Sequence, residues 1–115
     1  MGALKINDKL FEAIAAVPGV DGLYIGPADL TLGYTKGRLQ PGFDRQEEEM
    51  VAVLKRILAA AKDAGKFAAL HCGSAEYAAK AIGWGFNMTT VSGDTRLLAT
   101  AAAASVKEWR TLVSA

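Results

Sequence analysis

The chain has one cysteine, no apolar run of membrane-spanning length and no excess of either charge, and each absence excludes something. A lone Cys72 leaves no intrachain disulfide and fits a reducing compartment, with the cytoplasm as the expected location. The apolar stretches "ILAAA" and "LLATAAAAS" are closed by Lys62 and bounded by Arg96 and Lys107, far short of the roughly 20 residues of a membrane span. Thirteen basic residues against twelve acidic ones give a net charge of +1 and no basic stripe, so no nucleic-acid partner is expected. The opening "MGALKINDKLFEAI" lacks the basic start and apolar block of a signal peptide. Gly2 follows Met1, but Lys5-Ile6 stands where a myristoylation signal wants a hydroxyl residue.

What is present is a soluble-type composition of 51% apolar and 22% charged residues over 115 positions, enough for one domain or part of one. Residues 8–16 place Leu10, Phe11 and Ile14 on one helical face, with Asn7 or Asp8 as N-cap and Pro18-Gly19 as terminator. Val20 to Ile25 reads as a short buried strand. Gly26-Pro27 breaks it, and "TLGYTKGRLQPGF" reads as a loop because Gly33, Gly37 and Pro41-Gly42 are turn signals. From Asp44 the pattern is helical: Met50, Leu54, Ile57, Leu58 and Ala61 recur at intervals of three and four. Glu47, Glu48 and Glu49 crowd the start as a solvated first turn, and the bases come later, the order a helix dipole favours. "KFAALHC" is a second buried strand. Ser74 caps a helix that Gly85 closes, and "NMTTVSG" is a third strand. Asp94 is expected to cap a last helix that lines up Leu97, Leu98, Ala101, Ala102, Ser105, Val106 and Trp109.

Strands with little polar alternation, joined by helices, predict a parallel α/β sheet. Three strands leave two open edges, so the pattern predicts a portion of something larger. In such folds the functional groups sit at the carboxyl ends of the strands. Three ends are visible, "YIGPADL", "LHCGSAE" and "TVSGDTR", each with a glycine followed by polar groups. Small residues there let a ligand approach backbone N–H groups, and Asp29 supplies a hard oxygen ligand of the kind Mg²⁺ or Mn²⁺ takes. Read from the residues alone, Asp29 is more simply a helix N-cap or loop carboxylate.

"VDGLYIGPADLTLGYT" resembles the signature of the HpcH/HpaI aldolases, metal-dependent enzymes that cleave hydroxy-oxo acids. The likeness continues through "GKFAALHCGSAEYAAKAIGWGFNMTTVSGDTRLLATAAAASVKEW" and covers the chain from about Val17. It implies the C-terminal portion of a (β/α)8 TIM barrel, residues 1–115 forming one partial aldolase domain. It also implies reversible carbon–carbon cleavage of a 2-oxo-4-hydroxy acid to pyruvate, or a related 2-oxo acid, and an aldehyde. By position, Asp29 would ligate a divalent metal, Mg²⁺ or Mn²⁺ with Co²⁺ as an alternative, and the amides of Ala28 and Asp29 would hold the substrate carboxylate. The family's second ligand, a glutamate, and its arginine and histidine would fall before Met1, so no catalytic residue is assigned here and the chain by itself is expected to be inactive. A homo-oligomer is implied, since the last helices of the family tend to pack across protomers. The competing expectation is a non-catalytic α/β oligomerisation module.

The remaining candidates are weaker. His71-Cys72 could form a base–nucleophile pair, but neighbours on a strand point to opposite faces. His71 is expected to be a packed or loop-bonded imidazole and Cys72 a small buried hydrophobe. "SGDTR" could hold a phosphate with Arg96, though a solvated helix start is the simpler reading. Trp84 and Trp109 are expected to be packing anchors.

Overall fold

A computed structural model of the protein describes residues 9–115, so the readings of Gly2, Asn7 and Asp8 lie outside the described residues. The elements are α1 Leu10–Ala15, β1 Gly22–Ile25, α2 Pro27–Thr35, α3 Glu48–Asp63, β2 Phe67–Leu70, α4 Ala75–Trp84, β3 Met88–Thr89 and α5 Asp94–Ser114. The sheet is parallel in the order β1-β2-β3. Gly22 pairs with Phe67 and Ile25 with Leu70, while Ala69 and Leu70 pair with Met88 and Thr89.

One helix supplies more of the core than any other element. Met50, Val53, Leu54, Ile57, Leu58 and Ala61 lie on one face of α3 and are buried. They form a single apolar cluster with Ile25, Ala68 and Leu70 from the strands, Cys72 just after β2, and Phe11 and Ala15 from α1. Each such leucine or isoleucine contributes about 1.5–3 kcal/mol by leaving water. Glu48 and Glu49 stand in the first turn of α3 and Lys62 in the last, as the dipole favours. The Ser74 hydroxyl accepts the Tyr77 N–H at 3.2 Å, and Gly85 closes α4 with φ of 119°.

Four expectations change. The segment after Gly26-Pro27 is a helix, α2, through Thr35 and not a loop. Pro27 is pre-set for the first helical position, and hydroxyl bonds from Thr31 to the Pro27 carbonyl and from Thr35 to the Thr31 carbonyl, both 2.6 Å, bind successive turns. The chain then leaves through Lys36 in the left-handed conformation. The third strand is only two residues long, because the side chains at its ends replace ladder bonds: Asn87 Oδ1 accepts the Ala68 N–H at 3.0 Å, and Thr90 Oγ1 accepts the Cys72 N–H at 2.8 Å. Gly93, not Asp94, is the N-cap of α5, and Asp94 instead accepts the N–H of Thr95. On α1 the buried pair is Phe11 and Ala15, with Ile14 exposed.

The last helix carries its predicted apolar side, but no residue of it is buried. Trp109 is 60% exposed and anchors nothing among the described residues, whereas Trp84 packs edge-on against Tyr77 with ring centroids 5.8 Å apart. The radius of gyration is 17.7 Å, against about 13 Å for a compact chain of this size. At 1.5 Å per residue α5 is about 31 Å long, and the longest dimension of the molecule is 61 Å. It projects from the body.

The backbones of β1 and β2 leave no room for a side chain at Gly22. A Cβ there would lie 2.9 Å from the Phe67 carbonyl oxygen and 3.0 Å from the Phe67 Cβ. Gly22→Ala is expected to destabilise the protein by roughly 1–3 kcal/mol, the usual range for overpacking, measured as a lowered urea midpoint with an unchanged m-value.

Candidate active site at the strand ends

The turn after β1 is a helix start. Gly26 is the N-cap of α2, Pro27 its first residue, and Asp29 its third. The first bond of the helix runs from the Leu30 N–H to the Gly26 carbonyl at 3.0 Å. The N–H groups of Ala28 and Asp29 precede it and have no acceptor within the helix. Pro27 has no N–H of its own, so those two amides form the anion-facing end of α2. Ala28 is half-buried and Asp29 exposed. The Asp29 carboxylate turns back toward the cap, with Oδ2 at 3.9 Å from the position a Gly26 Cβ would take. Asp29 is thus neither the N-cap nor a loop residue.

The turn after β2 lies alongside. The His71 N–H donates to the Ile25 carbonyl at 3.1 Å, which carries the β1–β2 pairing one step further and sets His71 level with Gly26. His71 and Cys72 separate as neighbours on a strand must. His71 is half-buried, with Nδ1 2.7 Å from the Tyr24 hydroxyl and its ring 4.6 Å from that of Phe43. Cys72 is fully buried in the helix-side core. Burial, reinforced by the Asp44 charge, pushes its thiol up from 9.0 to about 11, so it is not a nucleophile at neutral pH. The pair is no dyad.

The sequence pattern makes Asp44 only the start of a helix, but α3 begins at Glu48 and Asp44 is a clamp in the loop before it, which the pattern does not reveal. It stands in the left-handed conformation, φ 52°, which aspartate tolerates better than most residues. Its carboxylate accepts the Gly73 N–H and the Ser74 hydroxyl, both at 2.8 Å. This clamps the segment between α2 and α3 onto the end of β2 and sets Phe43 over His71. A neighbouring clamp is the Tyr77 hydroxyl, which donates to the Arg45 carbonyl at 2.6 Å. A carboxylate flanked by glycine turns in "PGFD…HCGS" is the signal that marks such a clamp, though its long-range partner is not visible in sequence.

Arg96 also reaches this turn. A Cβ on Gly73 would lie 2.7 Å from Arg96 Nη1 and 3.5 Å from Asp44 Oδ2, so guanidinium and carboxylate both border Gly73. An anion there would meet the Asp44 charge, which disfavours a phosphate site. Among the described residues no three His, Cys, Asp or Glu side chains gather as a metal centre. Asp29 with its adjoining amides nonetheless suits a hard cation that takes one or two carboxylates and keeps its waters. A hollow of about 990 Å³ is lined by residues of α5 and by Ala115 after it, and is the flank of a projecting helix rather than a ligand cavity.

With this geometry in hand, relatives can be compared. No family model matches the chain. A hydroxypyruvate/pyruvate aldolase of Rhizorhabdus wittichii is 33% identical over 101 residues, covering 88% of this chain and 39% of its own length. A 2-keto-3-deoxy-L-rhamnonate aldolase of Klebsiella pneumoniae is 42% identical over 88 residues, 75% of this chain and 30% of its own. The crystal structure of an HpcH/HpaI aldolase from Desulfitobacterium hafniense superposes with a TM-score of 0.73 at 26% identity, over 86% of this chain and 37% of that one. The chain is related to the HpcH/HpaI aldolases. Macrophomate synthase, with a TM-score of 0.70 at 22% identity, shares the fold. The three parallel strands and their helices form part of a (β/α)8 barrel, consistent with its C-terminal portion. The chain spans under two fifths of the length of these aldolases. No helix among the described residues is long and apolar enough to cross a membrane.

Burial of Cys72 yields a testable outcome. A thiol whose pKa is raised on folding gives stability that is complete below its unfolded value near 9.0 and lost as pH rises through about 11. Tyr77, pushed up to about 12 chiefly by burial, acts in the same direction. Cys72 should resist a thiol reagent at pH 8 in buffer and react at once in urea, and the urea midpoint should fall between pH 9 and 11. Fast labelling of the native protein at pH 8 would contradict this placement.

Proposed function

We propose that this chain forms the substrate-carboxylate and metal-ligating portion of an aldolase that reversibly cleaves a 2-oxo-4-hydroxy acid to pyruvate, or a related 2-oxo acid, and an aldehyde. The observation that carries this reading is the start of α2, where two free amides and the Asp29 carboxylate emerge together at the end of β1. The amides of Ala28 and Asp29 bind the substrate carboxylate at the positive end of the helix. Asp29 holds Mg²⁺ or Mn²⁺, with Co²⁺ as an alternative. Such a cation, when bound, supplies a Lewis acid that polarises the 2-oxo group. Pro27 fixes the approach of the backbone, and the buried Leu30 and Thr31 anchor the first turn beneath it. Among the described residues no second carboxylate ligand and no proton-transferring group is assigned.

Asp29→Asn in the complete aldolase removes a charged ligand and keeps the helix start. It is expected to weaken Mn²⁺ activation of pyruvate methyl-proton exchange by at least about 100-fold, above the range usual for outer-sphere changes. Removing the metal with a chelator should abolish the exchange. The 115-residue chain by itself should give only the rate of Mn²⁺ alone, because no proton-transferring group is assigned beside Asp29. Unchanged metal dependence in the variant would refute the assignment.

A homo-oligomer is the second part of the proposal. The exposed apolar side of α5, with Leu98, Trp109 and Leu112, is supported by no partner among the described residues. The same feature favours the competing reading of a non-catalytic association module, which metal-dependent exchange would exclude. Light scattering at micromolar concentration is expected to give at least a dimer, and Leu98→Glu with Trp109→Glu should shift it to monomer. A monomeric wild-type chain would refute this.

A further inference from the structure

His71 has no task in the mechanism above, yet three elements converge on it. Tyr24 rises from β1 to meet Nδ1 at 2.7 Å, and Phe43 leans on the ring at 4.6 Å and 50° from the loop that Asp44 clamps. Nε2 has no hydrogen-bond partner among the described residues. Two aromatic walls and one available polar atom fit a small ligand that is part carbon and part hydroxyl.

Its place agrees with the dimensions of the substrate. Among the described residues β2 is the one strand that borders β1, and adjacent strands lie about 4.8 Å apart. In an extended aldol product, four carbon–carbon bonds of about 1.5 Å put C5 roughly 5 Å from the carboxyl carbon. A carboxylate held on the α2 amides therefore brings C5 over the end of β2, where His71 stands level with Gly26.

We propose that His71, held by Tyr24 and Phe43, hydrogen-bonds through Nε2 to a hydroxyl on the aldehyde-derived half of the substrate and selects hydroxylated aldehydes over alkyl ones. Either tautomer serves, since a hydroxyl both donates and accepts. The proposal rests on the aldolase reading.

The test is aldol addition of pyruvate to glycolaldehyde and to propanal, which have equal numbers of heavy atoms, in the complete aldolase with Mn²⁺. The quantity read is the ratio of the two kcat/KM values, so any loss common to both cancels. Loss of one hydrogen bond to substrate is worth about tenfold. The wild type should favour glycolaldehyde, and His71→Leu should lower the ratio by about tenfold or more, with His71→Gln recovering part of it. Tyr24→Phe should lower it less. As the only histidine, His71 also reports the contact by ¹⁵N NMR of the chain itself, where Tyr24→Phe should move the Nδ1 resonance. An unchanged ratio in His71→Leu, or an unmoved resonance, would overturn the proposal while leaving the aldolase reading intact. Absence of pyruvate proton exchange in the complete wild-type aldolase would overturn both.

Discussion

The parallel pairing of β1 with β2 is the contact on which the rest depends. It turns Ile25, Ala68 and Leu70 toward α3 and the opposite set, Tyr24 and Phe67, away from it. The first set is buried, while Tyr24 is 56% and Phe67 66% exposed. Parallel sheets are ordinarily covered on both faces, so this one is half of a layered structure. In a closed barrel the second face looks into the interior, where side chains from the other strands fill it. The same pairing sets Gly26 beside His71 and so fixes the distance between the two strand ends that make the site. Gly22 lets β1 approach Phe67 closely at the start of this pairing.

Short-range physics was legible in the sequence, and long-range pairing was not. The α3 stripe, the Ser74 cap and the Gly85 terminator each follow from spacing or from the chemistry of one residue. The parallel arrangement of the strands follows from the alternation of elements, whereas their order and register come from the structure. The misreading of α2 came from weighing Gly33 and Gly37 as breakers over Pro27 as an initiator. Gly33 costs a helix only about 1 kcal/mol, and two threonine hydroxyl bonds tie the turns around it. Trp109, expected as a packing anchor, is instead exposed, because no residue of α5 is buried among the described residues.

The site divides along the same line. The position of Asp29 at a strand end was readable from "YIGPADL", while its assignment to a metal rests on the likeness to aldolases. The Tyr24–His71 contact could not be read, because it joins residues 47 positions apart through a register that no local pattern sets. Period-two alternation did separate His71 from Cys72, and that alone removed the nucleophilic dyad. A dyad needs both groups on one face, whereas here one faces the site and the other is sealed in the core.

Asp44 shows how the fold pins one end of the sheet. Its two carboxylate oxygens accept the Gly73 N–H and the Ser74 hydroxyl in the turn after β2, and its left-handed backbone turns the chain so that Phe43 faces His71. Both accepted bonds reach an ionised oxygen, which makes them stronger than neutral ones. The loop from α2 to α3 is thereby held at the strand end, while Arg96 borders the same turn from α5. A turn fixed from two sides gives His71 a defined position beside the amides of α2. Selectivity requires such a position, because a side chain free to reorient would accept an alkyl group as readily as a hydroxyl.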